Sequence, residues 1–376
     1  MMINKVVWDR LLAMGCVGVL CGILWAGLWP FTPHPANQVA WLENGNGLHF
    51  AGYGTILSSR AFPPTDAAAG SACSLEIWAE PSAIQETRTL LGFYKPENLV
   101  SFSLYQFRNG LIFERQIRNR QDHASKVHTG IEVAFHAHTP AFITVTASGQ
   151  GTTLYLDGAL VERSSRFGLS AGDLTGQLVI ANSPVEDDSW SGDLHGLAIF
   201  DRELAAGEVL DHFNSWTKRG RPVISEDGKP IALYLFDERA GSVIHNRAGT
   251  APDLIIPDHY LILHPKFLEV PWKEFYPRWS YFEDVLVNIA GFIPLGFVFC
   301  GYFSSARHLR RAHVMAIILG FMVSLTIEIL QSYIPTRDSG MTDVITNTLG
   351  TAIGAMGFRW KITQAVFLRF GIPTEP

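Results

Sequence analysis

Residues 11–31 carry no charged side chain. Those 21 positions, wound as a helix rising about 1.5 Å per residue, cover a hydrocarbon core of about 30 Å. Lys5 and Arg10 precede the run, and Trp25, Trp29, Pro30 and Phe31 close it like an aromatic interfacial belt. A cleavable signal peptide would have a shorter apolar core ending at a small-x-small site. The run therefore reads as a retained membrane anchor. Composition points the same way. Only 17% of the 376 residues are charged and 47% are hydrophobic, against about 25% charged in a typical soluble domain. The mean hydropathy is +0.14, and a disordered chain is excluded. The net charge of −6 comes with no basic block, so a nucleic-acid partner is not expected.

The last third holds three more apolar runs. Residues 285–303 are interrupted only by Asn288, and residues 312–334 by His313, Glu328, Gln331 and a few hydroxyls. Residues 341–360 are richer in Gly and Thr and contain Asp343 and Asn347. Four spans put Lys5, Arg10, Arg307, Arg310, Arg311, Lys361 and Arg369 on one side, while the opposite loop balances Arg337 with Asp338. The positive-inside rule makes the first side cytoplasmic. The expected layout is a cytoplasmic N-terminus (1–10), a first span (11–31), an outer domain (37–256) and a juxtamembrane linker (257–281). A helical domain (282–360; helices about 283–303, 312–334 and 341–360) and a cytoplasmic tail (361–376) follow.

Between about residues 37 and 220, short runs alternate apolar and polar, as in Ser74-Leu75-Glu76-Ile77-Trp78 and Phe142-Ile143-Thr144-Val145. Period two with turn residues every 8–12 positions predicts an antiparallel sandwich. Asp157-Gly158 is a hairpin turn of the kind that needs positive φ. A short helix is expected from Ala205 to Phe213. The stretches from Cys73 to Pro81, from Phe142 to Gly158 and from Ser191 to Leu204, the last with its Asp201-Arg202-Glu203-Leu204 turn, resemble the laminin-G-like (concanavalin-type) jelly roll. That resemblance implies a module recognising glycans or proteins. Residues 232–249 are similar to the segment that normally opens such a domain, yet here they follow its closing strands. The expectation is a rearranged order in which residues 231–256 add an edge strand pair to the same sandwich. A truncated repeat could not bury its own core in so few residues.

Cys16, Cys21 and Cys300 lie in apolar runs and only Cys73 in a polar region, so no disulfide is expected there. No pattern of zinc spacing occurs. Neither Cys16 nor Cys21 follows a lipid-attachment pattern. Asp173, Asp187, Asp188 and Asp193 fall in sandwich loops, where calcium takes such ligands, although solvated turn acids are commoner. His136-x-His138 could place two imidazoles on one strand face, with His123 and His128 upstream, but a third ligand is missing. Trp190 could stack on a sugar or sit in the core like Trp78. No cofactor is expected, with calcium the one open alternative.

The polar residues of the helical third carry the most chemistry. Asp284 and Asn288 are i,i+4, Glu328 and Gln331 i,i+3, and Asp343 and Asn347 i,i+4, so each pair shares a helix face. The topology brings all six, with Arg337, to one leaflet. A carboxylate there costs about 2.5–3.5 kcal/mol on insertion scales and so faces a partner or a wet cavity. Arg337 is the available cation. A functional pocket and a packing network both fit, and Gly350 and Gly354 form a GxxxG pair for close helix approach. The blocks Asp284-x3-Asn288-x2-Gly291-Phe292-Ile293-Pro294-Leu295-Gly296, Glu328-x2-Gln331 with Pro335-x-Arg337, and Asp343-x3-Asn347-x2-Gly350-x3-Gly354 resemble the VanZ-like membrane family. Ordinary members have a short outer loop where the sandwich stands here. The resemblance implies a bacterial inner-membrane protein linked to glycopeptide resistance and the cell envelope. The functional expectation is an accessory envelope protein with a glycan or protein ligand outside the membrane. The alternative is an enzyme on a lipid-linked saccharide with Glu328 or Asp343 as acid or base.

Overall fold

The structure is a computed structural model that describes residues 5–63, 72–96, 100–118, 124–223, 228–275 and 277–369. The chain divides into two units, one of residues up to Pro33 and from Pro265 onward, the other His34–His264.

Among the described residues the second unit holds sixteen strands. They are β1 (Val39–Trp41), β2 (Leu48–Phe50), β3 (Ile56–Ser58), β4 (Cys73–Pro81), β5 (Thr87–Tyr94), β6 (Val100–Phe107), β7 (Gly110–Arg118) and β8 (Ala124–Ile131). Then come β9 (Ala141–Ser148), β10 (Gly151–Leu156), β11 (Ala159–Ser164), β12 (Gln177–Ile180), β13 (Gly192–Phe200), β14 (Ala232–Tyr234), β15 (Val243–Ile244) and β16 (Leu254–Ile255). They form two antiparallel sheets. One runs β1-β2-β13-β4-β9-β10-β11 with β14 also beside β13; the other runs β15-β16-β3-β12-β5-β6-β7-β8. Alternation decides the core. Leu75, Ile77 and Ala79 of β4 pair in register with Val145, Ile143 and Ala141 of β9, and all six face inward. The Asp157-Gly158 turn has the expected positive φ at both residues, 51° and 78°, with Leu156 paired to Ala159 across it.

Helix α2 spans Ala206–Arg219, running past the expected end at Phe213. It covers the outer face of the first sheet, where Phe142, Tyr155, Ala198 and Phe200 pack with Val209 and Trp216. Gly196 makes this possible, because a Cβ there would overlap the Trp216 ring. The Asp201–Leu204 turn starts the helix. Ser74 Oγ donates to the Arg202 carbonyl and accepts from the Leu204 N–H. Arg202 grips Glu208 with two nitrogens, at 2.8 and 3.0 Å.

Residues 231–256 belong to this single sandwich: β15 and β16 form the expected edge pair on one sheet, and β14 in addition joins the other. β14 continues the edge of β13 that β2 begins, while β15 and β16 extend the other sheet beyond β3. Asn246 fastens the segment: its side chain accepts from the Leu233 N–H and donates to the Ala251 carbonyl.

The other unit is helical: α1 (Lys5–Leu28), a short α3 (Pro271–Glu274), α4 (Trp279–Ser305), α5 (Ala312–Gln331), α6 (Met341–Arg359) and α7 (Lys361–Arg369). Three of them, α1, α4 and α5, are long and apolar enough to cross a membrane. α6 forms over the fourth expected run but is not apolar enough to count with them, since Thr, Gly, Asp343 and Asn347 lower its hydropathy. α6 packs on α4 through small residues. A Cβ at Gly350 would overlap the Ile289 carbonyl, and one at Gly354 the Ile293 carbonyl.

Candidate functional site

A cavity of about 580 Å³ lies among α1, α4, α5 and α6. Its wall includes all seven polar residues singled out in the helical third: Asp284, Asn288, Glu328, Gln331, Arg337, Asp343 and Asn347. Ile23, Val287 and Phe292 supply apolar surface. A smaller cavity of about 250 Å³ shares Asp284, Asp338 and Asp343 with it and adds Glu274, Lys266 and Lys273.

Six of the seven, all but Asp284, are held by a helix other than their own or by a helix end. Asn288 Nδ2 donates to Asp343 Oδ1 at 2.8 Å, joining α4 to α6. Asn347 Nδ2 donates to Ser324 Oγ at 2.9 Å, joining α6 to α5. Gln331 Nε2 donates to the Gly27 carbonyl at 2.7 Å, in the last turn of α1. Glu328, 1% exposed, accepts from the Gly340 N–H at 2.8 Å.

Arg337 does not take the part expected of it. Its guanidinium donates to the Trp29 carbonyl, at 2.6 Å from Nη2, and among the described residues no ion pair joins it to a carboxylate. The last carbonyls of a helix lack donor partners and carry partial negative charge, so a cation just beyond α1 is drawn to them. Sequence reasoning also passed over Glu274. This carboxylate accepts from the Thr342 N–H at 3.1 Å and from the Thr342 hydroxyl. Glu274 and Glu328 thus satisfy opening N–H groups of α6, whose N-cap residue Gly340 has no side chain to do so. No local pattern announces this, because Glu274 lies 68 residues from Thr342.

The sandwich aspartates are dispersed. Asp173 pairs with Arg115 at 2.9 Å and accepts from Ser170. Asp187 accepts from Tyr260, Asp188 from Thr89, and Asp193 lies 2.6 Å from His49 Nδ1. Among the described residues no group of three His, Cys, Asp or Glu side chains is placed to hold a metal. His136 and His138 sit in a turn, with His136 bridged to Thr139 and His138 at φ 53°, not on one strand face; His123 lies outside the described residues. Trp190 is core: 1% exposed, it donates to Gln106. An unanticipated pair is Glu76 and His212, 0% and 3% exposed, with His212 Nδ1 3.0 Å from both carboxylate oxygens. Burial pushes the Glu76 carboxyl above its ordinary pKa, against the pull of His212.

These features define an apolar helical protein joined to a lectin-like sandwich. Residues 233–363 match the VanZ/LLP1 family model, and residues 57–210 match that of the concanavalin A-like lectin/glucanases superfamily. The chain carries a VanZ-like domain and a laminin-G-like domain. The first match begins inside β14, so it takes in the last strands of the sandwich as well as the helices. No curated protein is a match in sequence. Among solved structures, a heptameric SAP-like pentraxin from Limulus polyphemus is 13% identical with TM-score 0.37, over 59% of this chain and 90% of that one. The binding domain of botulinum neurotoxin DC in complex with SialylT is 15% identical with TM-score 0.33, over 48% and 45%. The ligand binding domain of botulinum neurotoxin serotype D in complex with N-acetylneuraminic acid is 11% identical with TM-score 0.35, over 58% and 62%. Similarity at this level says nothing about ligands.

Proposed function

We propose that the chain is a multi-pass protein of the bacterial inner membrane. In this reading α1, α4, α5 and α6 all cross, both ends are cytoplasmic and the sandwich stands outside. The sandwich recognises a glycan or an envelope protein, and the cavity among the helices receives a lipid-linked or other envelope ligand. The role is accessory to envelope polysaccharide or glycopeptide-resistance processes. No cofactor enters this reading.

The observation that carries it is the gathering of seven polar side chains from three helices and a loop around one cavity, next to the backbone of a fourth helix. Polar groups inside an apolar bundle are costly unless they serve packing or a ligand. Here several serve packing, yet a cavity of about 580 Å³ remains between them. An enzyme using Glu328 or Asp343 draws less support, since the Gly340 N–H and Asn288 already hold those carboxyl groups.

An epitope inserted in the full chain at the exposed Gly149-Gln150 turn tests the topology. Antibody binding on intact spheroplasts is expected. Binding only after permeabilisation would overturn it. A glycan array probed with the full chain in detergent tests the recognition claim.

A further inference from the structure

We propose that a second cavity, at the other end of the helical unit, binds the phosphate headgroup of an anionic phospholipid. It measures about 510 Å³ and lies where α4 ends, α5 begins and α6 gives way to α7. It shares no residue with the polar cavity, so neither reading depends on the other.

The wall carries positive charge with nothing to balance it. Arg310, Arg359 and Lys361 line it together with His313, and no Asp or Glu does. Among the described residues none of the three cations is ion-paired to a carboxylate. The neighbouring chain has none to offer, because residues 285–327 and 344–374 contain no acidic side chain. On α1, whose Trp8 packs against Phe367 of α7, the one acid is Asp9, and it stands outside the wall. Helix dipoles give no relief. α4 and α6 finish here while α5 and α7 start, so partial end charges of opposite sign roughly cancel.

The wall is also arranged to donate. An arginine cannot accept a hydrogen bond. The 2.8 Å contact between Arg359 Nη1 and His313 Nδ1 therefore makes Nδ1 the acceptor and leaves the ring proton on Nε2. The same contact orients the guanidinium. α5 opens beside it with no side-chain cap from its N-cap residue Arg311. Guanidinium forks, an ammonium and opening helix N–H groups are the donors that phosphate oxygens match. Leu309 and Leu368, both exposed, line the same cavity and offer apolar surface to acyl chains. A lipid headgroup uses both surfaces, whereas a free phosphate uses one. The proposed topology puts this end on the cytoplasmic side, where basic pockets between membrane helices take such headgroups.

The test uses the full-length protein in detergent micelles. Native mass spectrometry and thermal unfolding compare dioleoylphosphatidic acid with dioleoylphosphatidylcholine and inorganic phosphate. Saturable retention of phosphatidic acid with a rise in Tm is expected, and no effect of the other two at the same concentration. Arg310→Gln and Arg359→Gln should each weaken the apparent affinity about tenfold. Arg310 is exposed in the loop between α4 and α5, so its variant reports even if Arg359→Gln, which strips His313 of its partner, fails to fold. Arg369→Gln removes a cation from the last turn of α7 that is outside the wall and should change the affinity less than about twofold. Equal weakening by Arg369→Gln would reduce the site to diffuse surface charge and overturn it. A Tm rise with inorganic phosphate matching that with phosphatidic acid would make the ligand a soluble phosphate and overturn the lipid. Equal retention of phosphatidylcholine, or no saturable binding of any probe, would remove the site altogether.

Discussion

Glu328 on α5 accepts a hydrogen bond from the backbone N–H of Gly340, 2.8 Å away at the start of α6. This carboxylate, with Glu274 on the Thr342 N–H, thus helps fix where α6 begins. It sits almost fully buried, and its partner is backbone, so a change of side chain at position 340 could not replace it.

Substitution at Glu328 is expected to split by hydrogen-bonding capacity. Glu328→Gln keeps an acceptor for the Gly340 N–H and stays within about 1 kcal/mol of the parent. Glu328→Leu strands that N–H and loses about 1–3 kcal/mol. Denaturation in mixed micelles, read by circular dichroism, compares the two; equal losses would show that Glu328 does not act as a cap.

Gly354 allows α4 and α6 to approach through their backbones. Gly354→Ala is expected to cost about 1–3 kcal/mol by overpacking, because the added Cβ overlaps the Ile293 carbonyl. Gly291→Ala is the control, since a Cβ there meets no atom within 4 Å. A melting series in one detergent should separate the two variants by several degrees. If Gly354→Ala melts with the control, the close approach is not needed.

Glu76 and His212 form a coupled pair. Removing one partner, as in His212→Leu, is expected to cost about 3 kcal/mol, and Glu76→Leu with His212→Leu much less than the two single changes together. The pH dependence follows from the raised carboxyl. A native pKa above the unfolded value of about 4.3 means that the native state holds the proton more tightly. The resulting stabilisation is complete below about pH 4.3 and is lost as pH rises through the native value. Glu76→Gln should flatten that part of the stability profile. An unchanged profile in urea titrations at several pH values would contradict the assignment.

The late segment completes the sandwich. Tyr234, Phe236, Ile244 and Leu254 are all fully buried, at about 1.5–3 kcal/mol each, which together rivals the 5–15 kcal/mol that holds an ordinary domain. A fragment of residues 34–264 is expected to unfold cooperatively, and one of residues 34–230 to aggregate or expose apolar surface to a dye. Cooperative unfolding of the shorter fragment would show that residues 231–264 are dispensable.

The apolar runs, the alternating strands and the Asp157-Gly158 turn were legible because each is written in neighbouring residues. A helix needs its apolar residues consecutive, a strand needs them at every second place, and a tight turn needs positive φ at two adjacent positions. The Asp284, Asn288, Asp343 and Asn347 spacing likewise marks one face of each helix. Trp190 was ambiguous because an indole suits a core and a binding platform equally, and only the Gln106 partner and full burial decide between them.

What the sequence by itself determined is therefore the kind and order of elements: apolar helices at both ends, a sandwich between, and polar residues set at helical spacing. What only the tertiary structure decided is who partners whom. Arg337 turned to the Trp29 carbonyl 308 residues away, Gln331 to Gly27 across 304, and Glu274 to Thr342. A buried polar group must find some partner, but its chemistry names only donor or acceptor. Packing alone chooses which of the many compatible groups stands within reach.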